Sequence, residues 1–246
     1  MNADPGAQLR LLDLQAADTA IAQLAHRRAT LAEVSAIAVA AAKAADVNVD
    51  VIDTQTRRDD LAADQRRLEN EVEAVRTRAD RDETRLTAGG LPAKELEGLQ
   101  HEITSLARRQ SSLEDELLEI MEQREAVDAE LAELVGRRTA LEAERGELES
   151  RRDDQFADID DATGIRRAER TAVAAGLPAE LLALYEKVAA ANGGVGAAAL
   201  HHRRCEGCRL ELAGNELTAL RAATPDAVVR CENCRRILVR TAESGL

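Results

Sequence analysis

The sequence predicts a mainly α protein: a long antiparallel coiled-coil helical hairpin followed by a small C4 zinc-ribbon domain. Three observations carry that prediction. Aromatic residues make up only 1% of the 246-residue chain, and the abundance of Ala, Leu, Glu and Arg suits long helices better than an ordinary aromatic-rich core. Apolar residues recur at alternating spacings of three and four over most of the length, as a left-handed coiled-coil seam requires. All four cysteines fall in two Cys-x-x-Cys pairs near the C-terminal end, within "RCEGCRLEL" and "VVRCENCRRILV".

On the first arm, Leu14, Ala17, Ile21, Leu24 and Leu31 keep one phase, and Val47, Val51, Leu61, Leu68, Val72, Val75, Ala79 and Leu86 keep another. The Ala-rich stretch "SAIAVAAAKAADVNVD" lies between them, so a kink, a stutter or a short non-helical break is expected near residues 35–50. In "LTAGGLPAKEL", Gly89, Gly90 and Pro92 supply a helix stop, a reversal and a residue suited to a first helical turn, which puts the hairpin tip near residues 87–93. The second arm then reads Leu99, Leu106, Leu113, Ile120, Val127, Leu134, Leu141 and Leu148 at strict seven-residue spacing. An unrelated amphipathic helix would drift from that register by about 20° per heptad. The companion positions include Arg138, Arg145 and Arg152, expected to lay their stems across the seam and reach acids on the facing arm. The hairpin accordingly spans residues 1–175. "AAGLPAEL" repeats the punctuation, so residues 176–194 read as a connecting helix, from about Pro178 to Ala191, and a Gly-rich linker.

Residues 195–246 read as the ribbon: a strand near 195–200, the first knuckle, a strand near 209–212, a helix near 214–223, and a strand pair bracketing the second knuckle. Each Cys-x-x-Cys pair can offer two thiolates from one tight turn, with Gly207 expected to ease the backbone. Twenty-two residues separate Cys208 from Cys231, and Cys205, Cys208, Cys231 and Cys234 together make a tetrahedral set for one structural Zn²⁺. Iron–sulfur binding and redox or disulfide use are the alternatives. His201 and His202 are not needed as ligands, because four thiolates close the site and leave no position for a reacting water. The segment's apolar residues are few, so metal binding is expected to be part of its folding free energy.

Charge narrows the function. The net charge is -13, yet residues 195–246 hold eight Arg against six Asp or Glu, so only this end suits a phosphate backbone. No catalytic triad, phosphate-binding Gly loop or metal-linked carboxylate pair is apparent, and no small-molecule substrate is expected. No window approaches the roughly 20 apolar residues of a membrane span, and the N-terminal stretch lacks a secretory pattern, which predicts a cytoplasmic protein that does not associate with membranes.

"LPAKELEGLQHEITSLARRQSSLEDELLEIMEQRE", "CEGCRLEL" and "CENCRRIL" resemble the bacterial coiled-coil proteins with a C-terminal C4-type zinc ribbon, the zf-RING_7 family, actinobacterial members above all. The resemblance runs from end to end. Carried over by position it makes Cys205, Cys208, Cys231 and Cys234 the zinc ligands and implies a non-enzymatic adaptor. Two positions depart from the family, which often has Pro and Gly where this chain has Glu232 and Arg235.

The expected function is therefore a zinc-binding adaptor that meets protein partners through hairpin and ribbon. The alternative is RNA or DNA binding through Arg203, Arg204, Arg209, Arg235, Arg236 and Arg240. That alternative is weakened because the ribbon has no Phe, Tyr or Trp on which bases could stack. A third reading is an RNA polymerase-associated regulator acting through acids near the tip, Asp80, Asp82 and Glu83.

Overall fold

A computed structural model describes residues 1–246. Five helices and four strands follow in order: α1 Pro5–Ala29, α2 Ala32–Ala88, α3 Ala93–Ala175, α4 Ala179–Ala191, β1 Ala197–His201, β2 Arg204–Cys205, α5 Gly214–Ala222, β3 Val229–Arg230 and β4 Ile237–Arg240. They form two compact units, one of Ser35–Glu149 and one of Met1–Val34 with Ser150–Leu246.

The Ser35–Glu149 unit is an antiparallel coiled-coil hairpin. Its cross-helix pairs run in opposite directions along the two helices: Asn48 with Arg138, Gln65 with Arg124, Arg76 with Glu114, and Arg78 with Glu102. On α2 the protected positions alternate by four and three without interruption from Ala40, Ala44, Val47, Val51 and Thr54 to Ala79, Asp82 and Leu86. On α3 every seam position from Leu96 to Leu148 is buried or half-buried. Leu68, Val72 and Leu113 form a buried apolar cluster within the seam. Gly89 and Gly90, with φ of +71° and +84°, turn the chain between the helices in a conformation that side chains resist.

Two expectations for the arms are corrected. Residues 35–50 are helical throughout, because an Ala-rich stretch is a strong helix former whatever its packing specificity. The break lies earlier, at Thr30 and Leu31, where Thr30 closes the last turn by donating to the His26 carbonyl at 3.0 Å and leaves the helical conformation with φ of -108° and ψ of 17°. The seam arginines find their acids on their own helix: Arg138 with Glu142 at 3.6 Å, Arg145 with Glu149 at 3.3 Å, and Arg152 with Asp153 at 2.7 Å. Opposite Arg138 the facing helix offers an amide instead, and Nη1 donates to Asn48 at 3.1 Å.

The second unit is built around a four-stranded sheet in the order β2-β1-β4-β3. β1 and β4 pair in parallel, with Ala197 opposite Ile237, and the outer pairs are antiparallel. Side chains alternate across the sheet. Ala197, Ile237 and Val239 pack on one side with Leu11 and Leu14 of α1 and Leu181, Tyr185 and Val188 of α4. Ala198, Leu200 and Leu238 point the other way, toward Leu212, Leu217, Leu220 and the cysteines. The few apolar residues of the C-terminal segment thus build two cores, one of them completed by helices from elsewhere in the unit.

The strand expected near 209–212 is reduced to a single bridge between Arg204 and Glu211, since Arg209 with φ of +62° breaks any extended run there. Arg204–Cys205 forms the short strand in its place. The first residues also join the sheet's surroundings: the Ala3 N–H donates to the Asp226 carbonyl at 2.7 Å and the Val228 N–H to the Met1 carbonyl at 3.1 Å. No helix is long and apolar enough to cross a membrane.

Candidate metal centre

The two knuckles share one backbone plan. In each, the N–H four residues on donates to the carbonyl of the first cysteine: Arg209 to Cys205 at 2.7 Å and Arg235 to Cys231 at 2.8 Å. The first cysteine's own N–H donates five residues ahead, Cys205 to Leu210 and Cys231 to Arg236, both at 3.0 Å. Closing this turn needs a left-handed residue after the second cysteine, and Arg209 and Arg235 take it with φ of +62° and +63°. Gly207 does not supply the left-handed conformation. It supplies space: a Cβ there would lie 2.7 Å from Arg236 Cδ and 3.0 Å from Ala198 Cβ.

The four sulfurs of Cys205, Cys208, Cys231 and Cys234 lie within 4.8 Å of one another. Cys205 Sγ is 3.8 Å from Cys234 Sγ, and Cys208 Sγ is 3.9 Å from Cys231 Sγ. Zinc–sulfur bonds of about 2.3 Å in tetrahedral geometry set sulfur–sulfur edges of about 3.8 Å, which these two edges match, so the set suits one zinc ion. Backbone N–H groups of Gly207 and Cys208 point at Cys205 Sγ, and those of Asn233 and Cys234 at Cys231 Sγ. Burial nevertheless pushes the Cys205 and Cys231 thiols up. At Cys234 burial works in the same direction but is outweighed by the Arg236 N–H, the Arg236 side chain and the neighbouring thiols, which bring it down. Four thiolates need a cation among them to coexist here, and one structural Zn²⁺ provides it. It holds two distant turns together and keeps no site for a reacting water.

The six arginines separate into two kinds. Arg203, Arg204, Arg209 and Arg235 are exposed around the knuckles. Arg203 gives one bond, from Nε to the Gly245 carbonyl at 3.1 Å, whereas Arg236 and Arg240 are half-buried and spend their guanidinium groups on several backbone carbonyls. Arg236 donates to Asn192, Val195 and Gly207, each at 3.2 Å, tying the turn after α4 to both knuckles. Arg240 gathers the Ala223, Thr224, Pro225 and Ala227 carbonyls at 2.8 to 3.3 Å. His201 and His202 stay outside the sulfur set; His201 faces Glu243 at 3.3 Å. Near the hairpin tip, Asp80 and Glu83 are exposed, whereas Asp82 is buried in the seam.

Sequence reasoning missed the residues that seat the ribbon. Gln15 is buried; its Oε1 accepts from the Gly196 N–H at 2.7 Å and lies 3.1 Å from the Tyr185 oxygen, while Nε2 donates to the Gly194 carbonyl at 3.1 Å. Gln8 Nε2 similarly bonds the Ala3 and Asp226 carbonyls. The available signal was two glutamines beside Leu11 and Leu14 on the apolar face of α1, where a purely structural helix would carry none.

A family model for CT398-like coiled-coil hairpin domains matches residues 14–193, and a model for C4-type zinc ribbon domains matches residues 204–238. An uncharacterised protein of Mycobacterium tuberculosis is 38% identical over 240 residues, covering 98% of each chain. An uncharacterised protein of Mycobacterium leprae is 30% identical over 213 residues, 87% of this chain and 91% of that one. A solved structure from Mycobacterium smegmatis, 38% identical, superposes with a TM-score of 0.87 over 98% of this chain and 100% of that one. CT398 from Chlamydia trachomatis, 19% identical, shares the fold with a TM-score of 0.68 over 96% of this chain and 98% of its own.

Proposed function

Because the chain belongs to the CT398-like coiled-coil hairpin family and carries a C4-type zinc ribbon, we propose that it is a non-enzymatic adaptor of the cytoplasm. In this reading Cys205, Cys208, Cys231 and Cys234 hold one zinc ion, and the hairpin and ribbon bind protein partners. The observation that carries it is the closed sulfur cage, whose four ligands leave the ion nothing to do but hold the fold. The long exposed faces of the hairpin are then the surface available for work.

Nucleic-acid binding through the ribbon is the second reading, favoured by Arg203, Arg204, Arg209 and Arg235 standing exposed around the knuckles. It is weakened by the two arginines already engaged, and by the charge of about -2 that four thiolates leave on a zinc centre. Capture from native extract with the intact chain, repeated after nuclease treatment, separates the two. Protein partners are expected to survive nuclease. Loss of every partner, together with salt-sensitive RNA or duplex DNA binding that the Arg203→Ser, Arg204→Ser, Arg209→Ser, Arg235→Ser variant abolishes, would transfer the function to nucleic acid.

A further inference from the structure

Helix α2 carries a second apolar stripe that nothing in its unit covers. Ala38, Ala42, Ala45, Val49, Ile52 and Thr56 follow one another at spacings of four and three, and all six are exposed. Val49 is 65% exposed and Ile52 58%, while Val47 and Val51 on the seam face are 4% and 5% exposed. At 3.6 residues per turn this stripe lies about 150° around the helix from the seam. The hairpin partner α3 is therefore on the opposite side.

The spacing restricts what fits. A three–four repeat accepts another helix lying nearly along it, crossing at about 20°. The small side chains at positions 38, 42 and 45 let that helix come close. Charge restricts it further. Asp46 and Asp53 flank the stripe and Asp50 stands further round toward the seam, all exposed, and none has a cation within ion-pair distance, whereas acids elsewhere on the hairpin such as Asp64, Glu71, Glu114 and Glu130 are paired. Lys43 is the only cation between residues 32 and 56. A second copy docked on the same stripe would bring these acids toward their own counterparts, which opposes association.

We propose that the stripe from Ala38 to Thr56 is a docking face for an amphipathic helix of a partner protein, one whose apolar seam is flanked by Lys or Arg. This rests on the adaptor reading and names the surface and the chemistry of its partner. The helix buries Val49 and Ile52, and its cations meet Asp46 and Asp53.

The test uses the full chain and two synthetic amphipathic helices with one apolar seam, flanked in one by Lys and in the other by Glu. The Lys-flanked helix is expected to bind at least tenfold more tightly. Asp46→Asn with Asp53→Asn should erase that preference, and Val49→Gln with Ile52→Gln should abolish binding. Gln favours helix more than Val or Ile does, so unchanged helical circular dichroism separates lost docking from lost folding. A photo-crosslinking residue in place of Ile52, used in native cells, should then join a Lys- or Arg-flanked helix of another protein. Equal affinity for both helices, binding that survives the Gln changes, a crosslink to a second copy, or no crosslink would each overturn the proposal. If nuclease-resistant partners persist in any of these cases, the docking face fails and the adaptor reading stands. If the intact chain captures no protein, both fall.

Discussion

Arg209 and Arg235 occupy the same place in the two knuckles, and both adopt the left-handed backbone that L side chains resist. A Gly after the fourth cysteine would avoid this strain; here Arg235 bears it, and its side chain is exposed. Arg235→Gly should therefore raise the stability of the zinc-loaded chain by about 1 kcal/mol, the left-handed penalty less glycine's entropy, read as an increase in Tm with zinc stoichiometry unchanged. Tyr185 gives a second reading of the same unit. It is fully buried, and its hydroxyl donates to Asp18 at 2.7 Å. Burial first and the Asp18 bond second push its pKa well above the ordinary value. A raised folded pKa means the neutral phenol's contribution is intact below the unfolded value of about 10 and is lost as pH rises beyond it. The chain has one Tyr and no Trp, so phenolate absorbance reports Tyr185 alone. It should stay silent above pH 10 until the unit unfolds; a smooth titration in the folded chain would contradict this.

The hairpin seam was readable on α3, where apolar residues fill one heptad position without a gap, and less so on α2. There the frame passes through Thr54, Arg58, Gln65 and Asp82, residues that a hydrophobic pattern discards. The Ala-rich start of α2 hid its phase for the opposite reason, because Ala on every face marks none. The break at Thr30 was invisible since threonines also stand inside α2 and α3, and no Gly or Pro marks this one as the residue that leaves the helix. Asp82 is the costly member of the seam: it is 6% exposed, and its Oδ2 has no hydrogen-bond partner. A buried polar atom left unsatisfied costs about 1–3 kcal/mol, so Asp82→Leu should stabilise the hairpin by that order. Denaturant unfolding measures it, and a neutral or lower midpoint would show that the carboxylate is satisfied in solution.

Removing zinc tests how the ribbon is held. The core around Ala198, Leu200, Leu212, Leu217 and Leu220 is closed by the cysteines themselves, so chelation should strip hydrogen-exchange protection from α5 and both knuckles. The other core sets β1 and β4 against α1 and α4, and those helices should keep their protection. Loss across α1 and α4 as well would mean that zinc sustains the whole unit; full retention in α5 would mean that it sustains none of it. The sequence by itself determined the helical class, the hairpin turn at Gly89 and Gly90, and the four-cysteine set, because each rests on local spacing or on a residue's intrinsic conformational preference. Only the tertiary structure decided that Met1–Ala3, Gln8 and Gln15 brace the ribbon, that Arg236 and Arg240 are internal clamps, and that β1 pairs in parallel with β4. Some of those contacts join residues more than two hundred positions apart, such as Met1 and Val228, and no local period in the chain encodes which distant partner a buried amide or guanidinium will meet.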